Sequence, residues 1–274
     1  MNQTFRKLSH SILYACYDIF LDSEQYLPLC YLRKNFGDTL SPLLIEGLSG
    51  KKVFRVNPVF YKKPHLMAVG SILERARSFS MIWGSGLISK DAMCIEKPKH
   101  IYAVRGPDTR KRLLENNIDC PEVYGDPALL IPRVYSPPIK KKYRLGIIPH
   151  FVDQDSSWLK TLNDPDILII DVLQKSPLRF IDELLSCERI AASSLHGLIV
   201  ADAYGIPSVW LKFSDDISGG SFKFIDYFKS VGRKDREPLT VLSETTVTAI
   251  EDQFYDYKTD IDLDALFNAF PYKS

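Results

Sequence analysis

Glu188-Arg189-Ile190-Ala191-Ala192-Ser193-Ser194-Leu195-His196-Gly197-Leu198-Ile199-Val200-Ala201-Asp202-Ala203-Tyr204-Gly205-Ile206-Pro207-Ser208-Val209-Trp210 is a stretch in which a strand, a turn and a helix surround one histidine. Arg189 to Ala192 reads as a short buried strand. From Leu195 the apolar residues take helical spacing through Leu198, Ile199, Ala201 and Ala203, and Gly205 and Pro207 stop the helix. His196 therefore falls in the first helical turn. The backbone N–H groups of that turn lack intrahelical acceptors and carry positive partial charge. With the Ser193 and Ser194 hydroxyls and Gly197 beside them, they suit a carboxylate or a phosphate. The same residues also fit a plain helix cap around a packed histidine.

The chain has 274 residues, long enough for two domains of about 130 each. Hydrophobic residues make up 45% and charged residues 25%, as in a globular protein, and the net charge of +1 provides no field for nucleic acid. Five scattered cysteines without a CxxC pair suggest neither a disulfide framework nor a zinc knuckle, and fit a reducing cytoplasm. No stretch reaches the roughly 18 apolar residues of a membrane span, so a cytoplasmic protein is expected, with peripheral docking at the inner face of a membrane left open.

Residues 10–22 fit an amphipathic helix and Leu27–Leu32 a first strand. Asn35-Phe36-Gly37-Asp38 then forms a strand-to-helix turn, with Asp38 expected as N-cap of a helix through Leu43, Leu44 and Ile45. Three further strands, Lys52–Val56, His65–Gly70 and Phe79–Trp83, lead to a glycine-rich turn, Gly84-Ser85-Gly86. Such turns at strand carboxyl ends are where open α/β sheets bind ligands. This one has neither the third glycine of a dinucleotide site nor the Gly-Lys-Ser/Thr of a P-loop. Lys99–Val104 is a strand that leaves Arg105 at its carboxyl end, before Pro107 opens a helix. A guanidinium there can hold a phosphate or carboxylate at two points, and it can equally serve in a salt bridge. Val123-Tyr124-Gly125-Asp126-Pro127-Ala128 follows.

Three prolines and Lys140-Lys141-Lys142 mark residues 131–142 as a linker between residues 1–135 and 140–274. The second part repeats strand, helix, strand, helix, strand, a parallel α/β pattern. His150 stands at the end of its first strand, where it can transfer a proton or simply pack. Asp215 and Asp216 have no third ligand at metal spacing, so no metal is expected. Lys223, between two phenylalanines, is the better candidate to hold an anion. The segment from Asp235 reads as a closing helical tail.

Taken in order, Asn-Phe-Gly-Asp, the Gly-Ser-Gly turn, Val-Arg-Gly-Pro-Asp-Thr-Arg, Val-Tyr-Gly-Asp-Pro-Ala, Ile-Pro-His-Phe-Val-Asp and Ser-Ser-Leu-His-Gly resemble the motifs of the polysaccharide pyruvyl transferases, over roughly Asn35 to Tyr227. The resemblance implies two Rossmann-like domains facing a cleft, similar to GT-B glycosyltransferases. It implies phosphoenolpyruvate as donor, bound mostly by the second domain, and a glycan or lipid-linked oligosaccharide acceptor bound mostly by the first, in exopolysaccharide or capsule synthesis. No cofactor is implied. On this reading His196 is the acid and Asp38 or Asp126 the base. Arg105, Ser193, Ser194, Leu195, Gly197 and Lys223 bind the donor, while Asn35, Gly37, Gly84, Ser85, Gly86 and His150 form the acceptor side of the cleft. One departure stands out: some members carry an arginine directly before the Leu-His pair, where this chain has Ser194. A GT-B glycosyltransferase using a nucleotide sugar, and a catalytically inert glycan-assembly subunit, are the alternatives.

Overall fold

The computed structural model describes residues 22, 24–32, 35–235 and 237–273, so the helix expected at 10–22 lies almost wholly outside the described residues. Two five-stranded sheets, parallel throughout, make up the frame. The first contains β1 (Tyr26–Cys30), β2 (Lys52–Arg55), β3 (His65–Met67), β4 (Ser80–Trp83) and β5 (His100–Ala103), in the order β2-β1-β3-β4-β5. The second contains β6 (Tyr143–Ile148), β7 (Ile167–Ile169), β8 (Cys187–Ala192), β9 (Ser208–Lys212) and β10 (Leu239–Thr240), in the order β10-β9-β8-β6-β7. Their central strands are short apolar runs because a parallel sheet is covered on both faces. In β4 and β9 almost every residue is buried.

The helices are α1 (Phe36–Ser49), α2 (Pro107–Glu115), α3 (Ser157–Thr161), α4 (Pro177–Leu185), α5 (Leu195–Ala203), α6 (Phe222–Ser230), α7 (Val247–Glu251) and α8 (Leu263–Asn268), with 3-10 segments at Leu73–Arg75 and Pro127–Arg133. The expected cap of α1 shifts by three residues. Asn35 is the N-cap and Asp38 the third helical residue, and the two bond reciprocally: Asp38 N–H donates to Asn35 Oδ1 and Asn35 N–H to Asp38 Oδ2, both at 3.3 Å. Both residue types cap well, and the reciprocal pair satisfies two orphan donors where a lone Asp38 cap would satisfy one.

The largest hydrophobic cluster runs through both sheets, from Leu29, Leu40 and Leu44 to Phe180, Ile190 and Leu198. Phe36 on α1 stacks on Phe180 of α4 with ring centroids 3.7 Å apart, and Phe36 N–H donates to Val172 O at 2.7 Å. Between the sheets, the Pro127–Arg133 turn buries Leu129, Leu130 and Ile131, and the chain then runs without regular structure to β6. The segment after Asp235 supplies β10 as well as two helices, and it returns to the first sheet. There Trp83 Nε1 donates to Leu266 O at 2.9 Å and its ring packs on Phe270.

Candidate functional site

The carboxyl ends of β1, β3, β6 and β8 open on one cleft, lined among others by Asn35, Asp38, Ser71, Glu74, His150, Phe151, Ser194, Leu195, His196 and Lys223. Strand-end clefts are the usual ligand positions of open parallel sheets. Seven of the expected site residues meet here: Asn35, Asp38, His150, Ser194, Leu195, His196 and Lys223.

α5 begins at the cleft because β8 delivers it there. Ser194 is its N-cap residue but makes no capping side-chain bond, so among the described residues the first turn has no side-chain cap. Ser193 turns away from the cleft: its Oγ accepts from His150 N–H at 2.8 Å and donates to Asp153 Oδ2 at 3.2 Å, tying β8 to the end of β6. Gly197 lies under the helix, where a Cβ would meet Ile148 side-chain carbons at 3.1 Å, which lets α5 sit close on its sheet.

The His196 ring crosses from the second sheet to α1. It lies flat against Gly37, where a Cβ would come within 2.6 Å of Cγ and closer still to Nδ1. Its Nε2 stands 3.8 Å from Asp126 Oδ2, beyond direct hydrogen bonding, and both atoms are buried without a partner among the described residues. Asp126 is fully buried and caps the Pro127–Arg133 turn through its other oxygen, which accepts from Ala128 N–H at 3.0 Å. Burial pushes the Asp126 carboxyl above its ordinary range against the pull of His196, and pushes the imidazole below its own against the pull of Asp126 and Asp38.

Lys223 is 7% exposed, and its ammonium has no hydrogen-bond or ion-pair partner among the described residues, only the Phe224 ring at 5.5 Å. Burial, with the Arg105 charge nearby, lowers it to about 8. Burial and the Lys223 charge lower His150 to about 4, so that imidazole is neutral at pH 7.

Arg105 lies behind the cleft wall rather than on it. It is fully buried, with Nε 3.0 Å and Nη2 2.8 Å from Asp226 Oδ2, Nη1 donating to Ser71 Oγ and Nη2 to Leu87 O, both at 2.7 Å. Asp226 also accepts from Thr109 N–H at 2.9 Å and Thr109 Oγ1 at 2.7 Å. This network fastens α6, which carries Lys223, to the first sheet. The Gly84-Ser85-Gly86 turn serves the same interior. Gly84 (φ 81°) abuts Pro127, Ser85 Oγ donates to Gly70 O, and a Cβ on Gly86 would fall 2.6 Å from Arg105 Nη1. None of the three lines the cleft. Glu74, Phe151 and Asp226 escaped sequence reading. Glu74 sits in a charged run that reads as solvated, and the partners of Asp226 are more than a hundred residues away.

Among the described residues, no cluster of His, Cys, Asp or Glu could hold a metal ion, and no helix is long and apolar enough to cross a membrane.

Fold and cleft thus define an α/β protein of two parallel sheets with a histidine-bearing cleft where they meet. The polysaccharide pyruvyl transferase family matches residues 60–215, and the chain belongs to that family. It is 30% identical over 210 residues to the uncharacterized protein L143 of Acanthamoeba polyphaga mimivirus, covering 72% of this chain and 71% of that protein. It is 28% identical over 230 residues to the succinoglycan biosynthesis protein ExoV of Rhizobium meliloti (strain 1021), covering 78% and 67%. A functionally uncharacterized protein, KP1_0663 of Klebsiella pneumoniae subsp. pneumoniae NTUH-K2044, aligns in structure with a TM-score of 0.48 at 13% identity, over 88% of this chain and 100% of that one.

Proposed function

We propose that the protein transfers pyruvate from phosphoenolpyruvate to a pair of sugar hydroxyls, forming a cyclic ketal and releasing phosphate, in the assembly of an exopolysaccharide or of its lipid-linked precursor. Family membership supports the class of reaction, and the name of the Rhizobium relative supports a polysaccharide product. On this reading the two parts of the chain, 1–135 and 140–274, work as GT-B-like domains, the first holding the acceptor and the second the donor.

The observation that carries the proposal is Lys223, a buried ammonium without an anion, in the same cleft as His196 and an uncapped helix N-terminus. A donor with a carboxylate and a phosphate supplies the missing negative charge twice. Ser194, where some members carry arginine, leaves Lys223 and the α5 amides as the main anion contacts. Arg105 adds positive potential from behind the wall, since its own donors are directed to Asp226, Ser71 and Leu87.

His196 protonates the donor's methylene carbon, and C2 becomes oxocarbenium-like. One sugar hydroxyl attacks C2 and passes its proton to a carboxylate, from which the acid is restored; the C2–O bond to phosphate then breaks, and the second hydroxyl closes the ketal, its proton leaving with the phosphate. Asp126 faces Nε2, so it acts through the imidazole, orienting the ring and stabilising its cation, and Nδ1 is left to exchange the proton. Asp38, whose charge acts on His196, is the carboxylate placed to take the hydroxyl proton. Donor binding brings negative charge to a ring held neutral by burial, so the acid is loaded together with its substrate.

Calorimetric titration with phosphoenolpyruvate, with inorganic phosphate and UDP-sugars as competitors, tests the reading. Micromolar binding that survives phosphate and is lost in Lys223→Ala and His196→Ala is expected. A preference for UDP-sugars would instead identify a glycosyltransferase.

A further inference from the structure

Glu74 has no role in the reaction described so far, although it lines the same cleft. It sits on the 3-10 turn Leu73–Arg75, which follows β3, and lines the cleft together with Ile72 and Ile88. Its Oε2 is buried with no partner among the described residues, and the hydrogen bond its carboxyl receives comes from its own backbone. A buried carboxylate oxygen without a donor is costly, and in a ligand cleft a donor from the ligand relieves that cost.

Glu74 belongs to the first sheet's side of the cleft, with Asn35, Asp38 and Ser71, whereas His196 and Lys223 are carried by helices of the second half. On the first sheet's side Arg75 is exposed, and Arg105 directs its donors to Asp226, Ser71 and Leu87, so neither is a counterpart to Lys223. An anionic donor belongs on the other side, so what Glu74 meets is neutral and rich in O–H donors.

We propose that Glu74 reads the acceptor: its carboxylate accepts a hydrogen bond from a sugar hydroxyl that does not react, and so selects glycosyl residues with a free hydroxyl beside the reacting pair. This rests on the transferase reading and adds to it a specificity-determining residue. A site built to bond a hydroxyl discriminates strongly against an analogue lacking it, because the buried acceptor is then left bare.

The experiment compares wild type, Glu74→Ala and Glu74→Gln, with methyl glucoside, galactoside and mannoside and their monodeoxy forms as acceptors, by phosphate release from phosphoenolpyruvate. In wild type, loss of one particular hydroxyl raises acceptor KM on the order of 10- to 100-fold. Glu74→Ala raises KM for the parent glycoside by a similar factor, becomes indifferent to that hydroxyl, and leaves donor KM unchanged, while Glu74→Gln falls between. Ligand-detected NMR binding of the same glycosides provides a readout independent of turnover. If Glu74→Ala binds and discriminates the glycosides as wild type does, or if wild type binds none of them, the assignment is overturned. Glycoside binding that depends on Glu74 without phosphoenolpyruvate binding would remove the transferase reading and leave this one standing.

Discussion

The His196 ring fills the space that a Cβ on Gly37 would need, its Nδ1 nearest to that position, so the histidine of the second sheet is seated on the first turn of a helix belonging to the first. The close approach leaves no room for a side chain. Gly37→Ala keeps an allowed helical backbone and improves helix propensity, so stability should change by no more than about 2 kcal/mol. The displaced imidazole should lower turnover on the order of 100-fold, since misplacement by about 1 Å suffices for that. Thermal unfolding beside steady-state phosphate release checks both halves of the statement.

Lys223 loses its charge as pH rises through about 8. Phosphoenolpyruvate affinity should therefore hold up to that pH and then fall roughly tenfold per unit, as the bound anion requires the ammonium. Lys223→Met should bind weakly at every pH and lose the dependence. The stability sign is opposite. The folded lysine titrates below its unfolded value, so burying the cation weakens the fold at pH 7, and Lys223→Met should gain roughly 1–3 kcal/mol. Titration calorimetry and urea unfolding read the two effects separately.

Proton uptake on donor binding should be measurable near neutral pH. Burial holds His196 below its usual range, and a dianionic ligand raises it, so the complex binds more protons than its parts. Binding heats measured in two buffers of different ionisation enthalpy, below pH 7 where Lys223 is already charged, should differ clearly in wild type and much less in His196→Gln. Asp126→Asn should reduce the uptake, because the carboxylate facing Nε2 stabilises the imidazolium.

Breaking the Arg105–Asp226 pair should be severe in either direction. Each single truncation leaves a fully buried charge alone, at about 3–5 kcal/mol, whereas Arg105→Met with Asp226→Leu should recover most of that loss. A double-mutant cycle by chemical denaturation measures the coupling. Loss of donor binding in Arg105→Ala therefore counts as evidence of direct donor contact only if the double variant, once refolded, fails to bind as well.

Much of the frame was legible because β4, β9 and the carboxyl halves of β6 and β8 are buried on both faces and appear as short apolar runs. His196 was legible because its strand, turn and helix are contiguous. The cap of α1 was misplaced by three residues, since Asn35 and Asp38 are both capping types and their reciprocal bonding is visible only in three dimensions. The strand-end position of Arg105 is visible in the sequence and suits either a ligand or a salt bridge, but the carboxylate that it pairs with is 121 residues further on. Glu74 was passed over because a carboxylate in a charged run is normally solvated.

The indole of Trp83 is covered by Leu266 and Phe270, so the wall of the first sheet is closed by a segment 183 residues downstream. On the ribosome, that sheet emerges with its largest aromatic side chain bare and must wait for almost the whole of the second sheet to be made. The cover of that indole is therefore in place only once the last helix has been made, and a nascent chain halted after the second sheet would expose an apolar patch for chaperones to hold.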